Sequence, residues 1–222
     1  MRRTGLAVCA NPRQSEDNDG MAEPLPVFVC AVLMALYWTL IGLPVCTRIF
    51  PAREGALFAP IVGWAIQSAL ALPLFMAVGM SRLAVVAVLL SSAVVAAIAI
   101  RPAQLRTVPA WWLALALVAA LLAAIPALAV LPKWTADGVA LAAPIYDHSK
   151  IAMVDEMARA GVPPVNPFFA LDGGQGRLIY YYLWHFSAAQ FAVATGASGW
   201  VTDAALSGFT AFASLLLSLI HI

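Results

Sequence analysis

From Gly55 to Leu131 the sequence carries three charges, Arg82, Arg101 and Arg106, and the residues between them are almost all apolar. A water-soluble domain does not contain such a stretch, because about a quarter of its residues are normally charged. Here charged residues make up 10% of the 222, hydrophobic residues make up 63%, and the mean hydropathy is +0.90. The composition fits an all-α, polytopic transmembrane protein of about six spans. Lys and Arg total 12 and Asp and Glu 11, so the net charge of +1 gives no electrostatic case for a nucleic-acid partner. Cys9, Cys30 and Cys46 lack metal-ligand spacing and read as small hydrophobes.

Val27 to Cys46 is a 20-residue run without a charge, and at about 1.5 Å per residue it crosses a hydrocarbon core roughly 30 Å thick. Ala56 to Met80, which holds Pro60, Gln67 and Pro73, is the second span. Leu83 to Ile100 and Trp111 to Leu131 are the third and fourth, the latter opened by an interfacial Trp111-Trp112 pair. The expected organisation is a disordered amino-terminal segment at 1–24, with Met1 or Met21 as the native start, and four spans within 25–131. A loop with one short amphipathic helix follows at 132–177, and two further spans lie within 178–222, Leu178 to Thr195 and Trp200 to Ile222. The last span reaches Ile222 without a polar flank, as expected of an amino-terminal piece of a longer protein.

The short connections carry Arg48, Arg53, Arg101 and Arg106 on one side and Arg82 on the other. By the positive-inside rule the 132–177 loop then lies outside the cytoplasm, with the amino-terminal arginines discounted against their acidic neighbours. That loop holds nine of the 23 charges, so chemistry is sought there. Ser149 to Ala160 lacks Gly and Pro and is followed by Gly161 and Pro163-Pro164, the order of a helix, a C′ glycine and a stop. Ile151, Val154 and Ala158 form its apolar stripe, widened by Met153 and Met157, with Lys150, Asp155, Glu156 and Arg159 opposite. Asp155 and Arg159 are spaced as a solvated i, i+4 pair.

Asp147 and His148 stand just before this helix. Asp147 or Ser149 fits an N-cap, and Asp147 equally fits a carboxylate at the water boundary that takes a proton from a reacting hydroxyl. The two roles are compatible. The run Asp172 to Arg177 superficially resembles a phosphate-cradling loop, but without a preceding strand or a Lys-Ser/Thr continuation it reads as a turn. Tyr180, Tyr181 and Tyr182 open the fifth span, and His185 is the ionisable side chain, tyrosine hydroxyls apart, that this reading places inside that span.

Asp147-His148, the short helix, Gly161-Val162-Pro163-Pro164, Gly173-Gly174, and Tyr180-Tyr181-Tyr182 with His185 together resemble the membrane proteins named for a Tyr-Tyr-Tyr (YYY) motif. Those proteins are in turn similar to the GT-C glycosyltransferase superfamily. The superfamily carries the corresponding loop after its first span, whereas four spans precede it here. The resemblance implies an inner-membrane, multi-pass enzyme. Its donor would be a sugar on a polyprenyl phosphate, its acceptor a hydroxyl of a lipid, glycan or protein outside the cytoplasmic membrane, and membrane lipids its surroundings. It implies Asp147, beside His148, as catalytic base, and Lys150, Arg159 or Arg177 as the cation on the departing phosphate. Tyr181 and His185 would complete the substrate site. A divalent metal is compatible with this chemistry, but one Asp-His pair is too few ligands to argue for it. The competing class is a transporter or flippase component in which Pro60, Gln67 and Pro73 line a path; a non-catalytic scaffold is a third.

Overall fold

The computed structural model describes residues 24–100, 110–136, 138–140, 144–171, 174–178 and 181–218. Seven helices and two small hairpins fall within them: α1 Pro24–Ile49, α2 Ala52–Val78, α3 Arg82–Ala99, α4 Ala110–Ala129, α5 Pro144–Ala160, α6 Leu183–Thr195 and α7 Gly199–Ser218. The all-α, polytopic fold is observed, and five of these helices, α1 to α4 and α7, are long and apolar enough to cross a membrane. Their outer surfaces are apolar too: Leu83 is 81% exposed, Ile98 79% and Leu113 70%. Lipid is the solvent for which such a surface is suited.

Close backbone approach holds α1 against α2. A Cβ on Gly42 would lie 1.9 Å from the Ala59 carbonyl oxygen, and one on Gly63 would lie 1.7 Å from that of Trp38. Small residues let membrane helices pack where no hydrophobic drive between helices exists. Trp38 fills the centre of the bundle, with Phe209 of α7 at 4.4 Å and Phe191 of α6 at 5.3 Å between ring centroids.

The bundle has two unlike ends. At one, Arg48 donates to the Ala99 carbonyl at 3.1 Å, Phe50 stacks on Phe58, and Leu57, Ala119 and Leu216 pack together. At the other lie the start of α1, the α2–α3 link and the end of α4, and there the chain from 130 to 198 builds a cap. Its hairpins are β1 Lys133–Thr135 with β2 Gly138–Ala140, and β3 Val165–Leu171 with β4 Gly174–Arg177, both antiparallel. The reading of 172–177 as a turn with no strand before it is corrected: Gly174 to Arg177 is itself a strand, paired with the strand that precedes it.

A second correction concerns Leu178 to Thr195. Its helix begins only at Leu183 and has 13 residues, about 20 Å in length and short of a span. The chain ahead of it is tied to the β3 side of the cap, and its last turn to the start of α3. Leu178 N–H donates to Pro164 O at 2.9 Å, and Arg82 reaches the Ala194 carbonyl at 3.5 Å. Helix α6 is thus too short to be a span, and α7 starts from the same end at which α4 finished. The amino-terminal segment, Arg101, Arg106, Asp137, Asp172 and Tyr180 lie outside the described residues.

Candidate functional site

Helix α5 starts at Pro144, five residues before the sequence reading placed it. Proline suits a first helical position, where an N–H has no intrahelical partner anyway. Asp147 and Ser149 consequently sit within the helix, and neither is the N-cap. Helix α5 ends as expected at Gly161, whose φ is +84° and whose N–H donates to Met157 O at 2.9 Å.

Ile151, Met153, Val154 and Met157 are buried against the rest of the cap and bundle. Glu156 is buried with them at 7% exposure, so it does not belong to the solvated face assigned to it. One of its carboxylate oxygens pairs with Arg159; the other, Oε1, has no hydrogen-bond partner among the described residues. The expected Asp155–Arg159 pair is replaced by that contact. Asp155 instead accepts a hydrogen bond from the backbone N–H of Gly199, 3.0 Å away at the start of α7. Loss of surrounding water raises the Asp155 carboxyl above its ordinary pKa, a larger effect than the lowering by the Gly199 bond.

Helix α6 lies in protein on every side, with His185 to Ala192 all buried. Its polar side chains meet α2: Trp64 Nε1 donates to Ser187 Oγ at 2.9 Å, Ser68 and Ser187 hydroxyls are 3.1 Å apart, and Gln67 donates to Gln190 Oε1 at 2.6 Å. Trp38 Nε1 in turn reaches Gln67 Oε1 at 3.4 Å. At the first turn of α6, burial lowers the pKa of His185 to about 4, with the Lys150 charge adding to the effect. His185 is thus neutral at pH 7, and Lys150 is close enough for its charge to be felt.

Of the residues expected at the site, Lys150 and His185 lie on two helices that pack against each other, α5 and α6. Asp147 and His148 have their backbone in α5, and their side chains lie outside the described residues. Arg159 is twelve residues beyond Asp147 on the same helix, about 18 Å along its axis, too far to share one reacting centre. Arg177 is exposed on β4 opposite Val165, and Tyr181 is 91% exposed just ahead of α6. Among the described residues no group of three or more His, Cys, Asp or Glu could hold a metal ion.

Sequence reasoning missed Asp203, a carboxylate 6% exposed one turn into α7. The available signal was an acidic residue inside an apolar run, which in a membrane protein marks a functional candidate by default. Asp203 lies one turn below Gly199, the residue that meets α5.

Over 97 residues the chain is 50% identical to a protein of Sinorhizobium fredii (strain NBRC 101917 / NGR234) described as "Uncharacterized protein y4nK". That stretch is 44% of this chain and 15% of the relative, so the chain spans only a small part of the relative's length. No protein-family model matches, and no solved structure matches.

Proposed function

We propose that this chain forms the entrance and acceptor side of an inner-membrane glycosyltransferase of the GT-C type, with the cap outside the cytoplasm. The observation that carries the reading is the packing of α5 against α6, which sets Lys150 on one helix near enough to His185 on the other for its charge to act on the imidazole. Asp147 is one turn away from Lys150, about 5 Å along the helix. By register Asp147 also stands one turn before Ile151 and two before Val154, both buried.

In this reading Asp147 takes the proton of the acceptor hydroxyl as its oxygen bonds to the anomeric carbon. The bond from that carbon to the phosphate oxygen breaks, and the electron pair leaves with the polyprenyl phosphate, whose charge Lys150 balances. Neutral His185 serves as a hydrogen-bonding group rather than a second cation. An apolar groove of about 480 Å³ between α1, α4 and α7, lined by Pro24, Phe28, Ala31, Ala127, Gly208 and Phe212, fits the donor's hydrocarbon chain. Arg48 at the opposite end of the bundle agrees with the positive-inside orientation.

In the transporter alternative Pro60, Gln67 and Pro73 of the second span line a path. Gln67 is buried and bonded to Trp38 and Gln190, which makes it a tie between helices.

Transfer of a labelled sugar from polyprenyl phosphate, measured with the full-length protein in membranes, tests the proposal. Asp147→Asn should lower turnover by about 10² to 10⁴, the usual cost of a lost general base, with expression unchanged. Near-wild-type turnover would reject Asp147 as the base, and solute uptake without sugar transfer would replace the enzyme reading with the transporter.

A further inference from the structure

We infer that Asp155 is a positioning residue: its carboxylate seats on the first N–H of α7 and clamps α5 across the entrance, in room that glycine at position 199 leaves for it. The contact joins residues 44 apart, Gly199 N–H to Asp155 Oδ1 at 3.0 Å. A Cβ built on Gly199 would lie 2.4 Å from that same oxygen, 2.9 Å from Cγ and 3.2 Å from Oδ2. Residue 199 is helical, with no positive φ to call for glycine. Glycine in a helix costs stability relative to alanine, so its use here answers a need for space rather than for conformation.

The acceptor suits the donor. The first N–H groups of a helix lack intrahelical partners, and the positive end of the helix dipole favours a carboxylate. Ser198 Oγ takes the Val201 N–H at 3.4 Å, so Asp155 and Ser198 divide the open donors of α7 between them. Glu156, the neighbouring carboxylate, is engaged by Arg159 and does not compete. The apolar row Ile151, Val154 and Met157 buries α5 without fixing how far it slides along the bundle. A directional bond to a backbone atom fixes that register, and with it where Lys150 and Asp147 stand relative to His185. Asp155 is eight residues from Asp147, about 12 Å along the axis, and touches no reacting atom.

The consequence for activity rests on the glycosyl-transfer reading; the clamp itself does not. Hydrogen exchange of the full-length protein in lipid nanodiscs, read over 149–160 with the α1–α2 amides as the internal control, tests the clamp. Asp155→Ala and Gly199→Ala should each speed exchange of α5 by roughly 10- to 100-fold, as expected for loss of a charge-assisted hydrogen bond, while α1 and α2 stay protected. Asp155→Asn keeps the Oδ1 acceptor and should retain most of the protection. Adding Gly199→Ala to Asp155→Ala should change nothing further, since the clash is gone with the carboxylate. Unchanged exchange in Asp155→Ala, or additive effects in the double variant, would overturn the clamp. If exchange rises as described but wild-type protein transfers no sugar, the clamp stands and the proposed reaction falls.

Discussion

Helices α4 and α6 both lie in runs that read as spans from the sequence, and they differ in surroundings. Helix α4 has 20 residues, no polar side chain beyond its two tryptophans, and leucines such as Leu117 and Leu121 more than 60% exposed on its outer side. Helix α6 has 13 residues, is buried all round, and uses Ser187 and Gln190 to bond to α2. The solvent of α4 is lipid and that of α6 is protein. Hydropathy detects the first condition directly, but a helix surrounded by protein can be just as apolar and still stop short of the far side.

The largest effect should come from truncating each helix where it packs. Phe186→Ala in α6 removes a ring with no exposure, at 6.1 Å from Phe75, and should cost about 3 to 5 kcal/mol in unfolding measured in detergent. Leu117→Ala in α4 exchanges lipid contacts for lipid contacts and should cost less than about 1 kcal/mol. Equal costs would erase the distinction between the two helices.

Acid should separate them next. The folded-state pKa of His185, about 4, lies below the ordinary 6.5. Neutral His185 therefore contributes stability that is present above pH 6.5 and is lost as pH falls toward 4, a contribution on the order of 3 kcal/mol. A pH titration of unfolding should show this loss in wild type and not in His185→Gln. Helix α4 has no titratable group, so substitutions there should leave the profile unchanged. The smallest effect is the coupling of Gln67 and Gln190 across α2 and α6, about 0.6 to 1 kcal/mol in a double-mutant cycle, since polar contacts in membrane proteins average little more. Zero coupling would make that bond incidental.

The four leading spans were legible because charge-free runs of that length have one use. Gly161 was legible as a helix stop because the left-handed conformation it adopts favours glycine. Three features of the cap were not. Pro144 lies five residues upstream of the expected helix start, and reading it as a first helical residue requires knowing that the chain turns there. Leu178, Tyr181 and Tyr182 stand ahead of α6 outside any helix, although the apolar and aromatic sequence there continues its pattern, so the sequence suggested a full span. The β3–β4 hairpin did leave a signal: Leu171 pairs with Gly174, and the Asp172-Gly173 between them is a common hairpin connection. The Asp155–Gly199 bond and the burial of Glu156 depend on how α5 is laid against α7, which no local pattern encodes.

The central structural claim is that α6 is too short to cross the membrane, so that the described residues just before it and just after it belong to the same side. Single cysteines at Ala136, exposed after β1, at Ala197, between α6 and α7, and at Pro51, exposed at the opposite end, can be tested with a membrane-impermeant thiol reagent in intact cells and after permeabilisation. Ala136→Cys and Ala197→Cys should both label in intact cells, and Pro51→Cys only after permeabilisation. Labelling of Ala197→Cys together with Pro51→Cys, and apart from Ala136→Cys, would make α6 a complete span and contradict the account.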